Sequence, residues 1–222
     1  MNNLKNDIPL VSVFSKQSIV VEQLRSIRAS VSYISEIQQV KTILFSSAEV
    51  DEGKSTMVAN LAVLYAERGS NVLLVDADLR NPTIQRAFHL SNEIGLSNWL
   101  GEKIRSIEDI IQSTGVKDLS VVTSGNLDVS STSLLDSSKM NEFLDYVKAQ
   151  YDFVLIDTTP MTAVSDAQVL STKVDGTLLV VRENITRKKA LGKAIQLLQL
   201  SGSNLLGTIY NGARKSVYSG YY

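Results

Sequence analysis

The 222-residue chain contains no cysteine. That excludes a disulfide scaffold, a thiolate metal site and a cysteine nucleophile. His89 is the only histidine, which removes a multi-histidine metal site and a histidine-based proton relay. The formal net charge is −1, so no basic field points to nucleic acid. No run approaches the roughly 18 consecutive apolar residues of a membrane span. The polar start, Met1–Pro9, lacks the apolar region of a secretory leader. A soluble cytoplasmic protein is expected, with any membrane attachment supplied by a partner. What the chain does have is apolar bulk: hydrophobic residues make up 44%, enough for the core of one α/β domain.

The pattern along the chain predicts its organisation. Residues 1–17 carry no periodicity and are expected to form a flexible arm. Val20, Leu24, Ile27, Val31 and Ile34 recur at helical spacing and predict a helix from Ser18 to about Ser35. Strands are expected at Thr42–Ser46, Val72–Asp76, Leu119–Thr123, Phe153–Asp157, Thr177–Val181 and Leu205–Tyr210. Helical patterns lie between several of them, most clearly at Gly53–Glu67, Met140–Gln150 and Lys188–Leu200. This alternation predicts a doubly wound α/β fold, with a mostly parallel central sheet flanked by helices. The serine-rich stretch Ser124–Ser138 is expected to be an exposed loop, and Arg187-Lys188-Lys189 a solvated helix face. One domain, residues 18–212, precedes a short tail at 213–222.

Three segments carry chemistry. In the first, Ala48-Glu49-Val50-Asp51-Glu52-Gly53-Lys54-Ser55 follows an apolar strand and opens a helical run. This is the pattern of a phosphate-binding loop, with alanine at the usual first glycine. Backbone amides from Val50 to Thr56 would cradle the phosphates of ATP. Lys54 would reach the β- and γ-phosphates, and Ser55 would offer its hydroxyl to Mg²⁺. In the second, Val72-Leu73-Leu74-Val75 ends in Asp76-Ala77-Asp78-Leu79-Arg80. Carboxylates at the C-terminal edge of such a strand sit where open α/β sheets bind ligands, and hard Mg²⁺ wants oxygen ligands. In the third, Phe153-Val154-Leu155-Ile156 delivers Asp157 ahead of Thr158-Thr159-Pro160, and Asp157 can hold Mg²⁺ through a coordinated water.

These three elements in this order resemble the bacterial tyrosine kinases of capsule and exopolysaccharide operons, and the resemblance covers nearly the whole chain. The division-site and chromosome-partition ATPases share the first and third elements; Asp76-Ala77-Asp78-Leu79-Arg80-Asn81-Pro82 favours the kinases. The resemblance implies an ATP- and Mg²⁺-dependent tyrosine autokinase. Lys54, Asp76, Asp78, Arg80 and Asp157 are then catalytic, with Ser55, Asp78 and Asp157 at the metal. Asp76 is the candidate base for the tyrosine hydroxyl, and Asn211 a candidate adenine contact.

The same resemblance makes Glu22-x-x-Arg25-x-x-Arg28 a ring-forming motif and Tyr218, Tyr221 and Tyr222 the autophosphorylation sites. It implies three partners: further copies of the chain, a transmembrane polysaccharide co-polymerase-type adaptor whose cytoplasmic tail activates the kinase, and a cognate tyrosine phosphatase. Glu49 stands where the partition ATPases carry a lysine that reaches across their dimer. Two rival functions share the site: a switch ATPase with water as acceptor, and a nucleotide-binding adaptor of a polysaccharide-assembly complex.

Overall fold

The computed structural model describes residues 8–15, 17–126 and 130–213. Its centre is a seven-stranded sheet. The strands are β1 (Thr42–Ser47), β2 (Val72–Asp76), β3 (Ile111–Ser113), β4 (Leu119–Val122), β5 (Phe153–Asp157), β6 (Gly176–Arg182) and β7 (Leu205–Asn211). Their spatial order is β3-β4-β2-β5-β1-β6-β7, and every pairing is parallel except β3 against β4. The six strands expected from sequence are all present. The seventh, β3, is a three-residue edge strand, too short to show an alternating pattern.

Period-two alternation divides the apolar strand residues between two cores. Ile43, Phe45, Val72 and Leu74 pack on one face, and Leu44, Leu73, Val75 and Ile156 on the other. The first core is covered by α2 (Ile19–Gln38), α3 (Lys54–Ala66) and the short α4 (Ile84–Ala87), the second by α5 (Leu96–Leu100), α6 (Ser131–Asp136) and α7 (Ser138–Gln150). In α3 every residue but Ser55 and Thr56 is buried, because the helix lies between the sheet and α2. Helices α8 (Asp166–Ser171) and α9 (Lys188–Leu200) cover the β6 side through Leu179, Ala167, Ala194 and Leu198.

Several expectations need correction. Residues 8–15 are not a free arm. They include a single helical turn, α1 (Val11–Phe14), in which Ser12 is fully buried, with Leu10 buried just before it. Asn60 of α3 holds this segment: its Oδ1 accepts from the Ser12 amide (3.0 Å) and hydroxyl (2.9 Å), and its Nδ2 donates to the Pro9 carbonyl (2.9 Å). Anchoring by one polar side chain leaves no periodic trace in the sequence. Helix α2 runs one turn past Ser35, and its buried face uses Val21 rather than the half-exposed Val20. Ser18 caps it by accepting the Val21 amide. The expected loop Ser124–Ser138 contains α6, whose Leu134 and Leu135 are buried. Trp99 packs in the second core.

Candidate active site

Because β1, β2 and β5 run parallel, their C-terminal ends open onto one edge of the sheet. There β1 passes into the turn 48–53, and α3 starts at Lys54. Asp51 and Gly53 take positive φ angles of 60° and 84°. At Gly53 the positive φ disfavours any residue with a side chain, and a Cβ, 2.3 Å from the Asn211 side-chain nitrogen, would push that side chain aside. The turn sets the free amides at the start of α3 against a cavity of about 610 Å³. Val50 to Thr56 line that cavity with Asp78, Asn81, Thr83, Pro160 and Arg182.

The acids expected to act together do meet. β5 lies between β2 and β1, and Asp76 is in register with Asp157. Lys54 Nζ donates to Asp157 Oδ1 (2.5 Å) and to the Ser55 hydroxyl (3.1 Å). Asp157 is fully buried, and its Oδ2 has no partner among the described residues. Asp76, also fully buried, accepts from the amides of Asp78 (3.2 Å), Thr83 and Ile84 (both 3.0 Å). Burial first, then the nearby Asp157 charge, push its carboxyl up to about 7, against the pull of those amides and of Lys54. Burial likewise raises Asp78, whose Oδ1 accepts the Asn81 amide at 3.0 Å. Three carboxylates thus share one lysine, a set that is short of positive charge.

Among the described residues no group of three metal-ligating side chains forms a ready cage. That suits magnesium, which keeps several waters and is held by one or two carboxylates together with nucleotide phosphates. The unpartnered Asp157 Oδ2 and the buried, unpartnered Thr158 hydroxyl are donor atoms left over at this edge. The residues present fit a phosphate-bound divalent cation.

Other expected residues have tasks inside the chain. The Glu52 carboxylate turns back to accept the amides of Ala48 (2.8 Å) and Glu49 (3.2 Å), and it also takes the Thr186 hydroxyl. Asn211 donates to the Glu52 carbonyl at 3.0 Å, bracing the loop from β7. Arg80 is engaged with Asp166. Glu22 pairs with Arg25, and the Arg28 guanidinium lies 6.0 Å from the centre of the Tyr65 ring. Tyr218, Tyr221 and Tyr222 fall outside the described residues.

Sequence reasoning missed Arg182, which lines the cavity and donates to the Asp51 carbonyl at 2.8 Å. It ends an apolar strand, the same signal that exposed Asp76 and Asp157. Arg187, expected to be merely solvated, grips Glu49 with Nε at 2.9 and 3.1 Å. The position of the partition-ATPase lysine is therefore filled by half of an internal ion pair.

Comparison with known proteins identifies the family. An AAA domain family model matches residues 40–200. Tyrosine-protein kinase YwqD of Bacillus subtilis is 41% identical over 215 residues, covering 96% of this chain and 90% of that one. The chain belongs to the bacterial tyrosine-protein kinases. The solved kinase domain of the Escherichia coli tyrosine kinase ETK superposes with a TM-score of 0.89 at 32% identity, covering 100% of this chain and 89% of that one. The septum site-determining protein MinD of Pyrococcus horikoshii, solved with Mg-ADP, is more distant, with a TM-score of 0.67 at 27% identity over 80% of this chain and 72% of that one. Doubly wound architecture and tyrosine-kinase family are thus common ground between the residues and the relatives.

Proposed function

We propose that this chain is an ATP-dependent protein-tyrosine autokinase that regulates capsular or extracellular polysaccharide synthesis. The carrying observation is the cluster at the start of α3: Lys54 and Asp78 line the cavity, and Asp157, paired with Lys54, and Asp76, in register with Asp157, are buried behind them. Phosphoryl transfer asks little covalent chemistry of a protein; positioning and charge neutralisation do most of it. In this reading Lys54 and the loop amides hold the phosphates, and Asn211 lies toward the base. Ser55, Asp78 and Asp157 would hold Mg²⁺, which when bound would offset the charge on the transferring group. The tyrosine oxygen forms a bond to the γ-phosphorus while the bond to the bridging oxygen of ADP breaks. The phenolic proton passes to Asp76, the carboxylate assigned as base.

The acceptors are Tyr218, Tyr221 and Tyr222 of a neighbouring subunit in a ring formed through Glu22, Arg25 and Arg28. Each phosphate adds about −1.5 to −2 charges. Several on one tail repel each other and the acidic site, so phosphorylation releases tails and loosens the ring, and a phosphatase resets it. Among the described residues no helix is long and apolar enough to cross a membrane. Recruitment to the inner face of the membrane is assigned to a transmembrane adaptor that also activates the site.

The test mixes Lys54→Met protein bearing the native tail with active protein in which all three tail tyrosines are phenylalanine, in MgATP and an activating adaptor peptide. Phosphotyrosine on the inactive chain's tail is expected. Phosphate release without labelling would instead identify a switch ATPase, and neither product a nucleotide-binding adaptor.

A further inference from the structure

Asp166 opens α8, away from the three motifs, yet its carboxylate is fully buried and saturated. Arg80 reaches it with two donors, Nε to Oδ2 at 2.8 Å and Nη2 to Oδ1 at 3.2 Å. The Ser131 hydroxyl, at the start of α6, donates to Oδ2 at 2.8 Å, and the Thr132 hydroxyl donates to Oδ1. Burial works against the charged form, but Arg80, Thr132 and Ser131 outweigh it and hold this carboxyl below its ordinary value. Arg80 follows β2 by four residues and sits in the turn between Asp78 and Asn81, whose amide is bonded to the Asp78 carboxylate at 3.0 Å. The two ends of Arg80 therefore do different things. Its backbone shapes the turn that carries Asp78, and its side chain bolts that turn to α8.

We propose that Asp166 is a positioning residue: it fixes Arg80, and through Arg80 the turn that aims the Asp78 carboxylate into the nucleotide cavity. This rests on the metal assignment made above for Asp78. It also gives Arg80 a role that needs no contact with the transferring phosphate, since its Nε and Nη2 are committed to a buried carboxylate. Removing the Asp166 charge leaves Arg80 half-exposed, where water can solvate it. Removing Arg80 alone would strand a buried carboxylate, so substitution at Asp166 is the gentler probe.

The experiment measures ADP affinity of the full chain by calorimetry, once in EDTA and once in saturating Mg²⁺; the ratio is the gain from metal. Asp166→Asn should keep the EDTA affinity within about twofold and lose about tenfold of the gain, the usual scale for groups that orient metal ligands. Arg80→Lys, which keeps charge but not the fork, should lose part of it. Ser131→Ala with Thr132→Val, which leaves the ion pair, should keep it. If Asp166→Asn fails to fold, Arg80→Gln with Asp166→Asn removes both charges and carries the same expectation. A parental gain in Asp166→Asn overturns the proposal. So does an equal fall in both conditions shared by Asp166→Asn and Ser131→Ala/Thr132→Val, the mark of a staple between α6 and α8. A parent protein with no gain from Mg²⁺ overturns the metal assignment itself, and this role with it.

Discussion

Two regions of this protein bring acids and bases within a few ångströms of each other, and they behave differently. At the C-terminal edge of the sheet Lys54 pairs with Asp157, with side-chain exposures of 8% and 0%. On the outer face of α2 Glu22 pairs with Arg25, at 63% and 39%. In the first, burial disfavours the charged form and the Asp157 charge adds to it, so Asp76 is pushed up to about 7 although Lys54 pulls the other way. In the second, solvent and salt screen the same chemistry, and such a pair contributes only about 0.2–0.5 kcal/mol. The buried set is built to act on a ligand's charge. The exposed set can serve only where another surface covers it.

The sharpest way to break this contrast is Lys54→Met. Phosphotransfer should fall by about 10³-fold, the scale of removing a preorganised electrostatic group, in a protein that still melts cooperatively. Quantitative phosphotyrosine blotting beside a circular-dichroism melt checks it. Near-parental transfer would make the Lys54–Asp157 pair merely structural.

Asp76→Asn should lower phosphotransfer by about 10²-fold through loss of the base. It also tests the burial argument without any reaction. In metal-free, nucleotide-free protein the folded-state carboxyl titrates near 7, against an ordinary value of 3.8. Below about pH 4 both folded and unfolded chains hold the proton, and the contribution to stability is complete. As pH rises to about 7 the unfolded chain has already released its proton, so stability is lost, then levels off. Asparagine removes this dependence. The stability of the variant relative to parent should therefore increase between pH 5 and 8, by at most about 3 kcal/mol. Denaturant titrations at both pH values measure it; a flat difference would show that Asp76 ionises as a solvated acid does.

The smallest effect belongs to α2. Glu22→Ala should change the stability of the isolated chain by less than about 0.5 kcal/mol. Arg28→Ala should cost slightly more, because Arg28 lies over Tyr65. Light scattering on the triple alanine variant then separates stability from assembly. A large drop in melting temperature in Glu22→Ala would mean that the exposed pair supports the fold.

Legibility followed the range of the interactions. Central strands appear in sequence as apolar runs because both of their faces are buried, and α3 appears as a long helical run for the same reason. Where such a run ends in an acid, as at Asp76 and Asp157, the ligand edge of the sheet is visible too. The turn at α1, the strand β3 and the helix α6 were not legible, because three to six residues are too few to establish a period.

The amino-acid sequence alone therefore determined the doubly wound sheet, the phosphate-binding loop and the family, since each is written in local runs whose order is specific. Only the tertiary structure decided which charges share a cavity and which are committed elsewhere. Strand order placed Asp157 between Asp76 and Lys54. Packing across 86 residues of chain joined Arg80 to Asp166, and across 138 it joined Arg187 to Glu49. No spacing rule encodes such partnerships, because they depend on the distance between side chains after the helices have docked on the sheet.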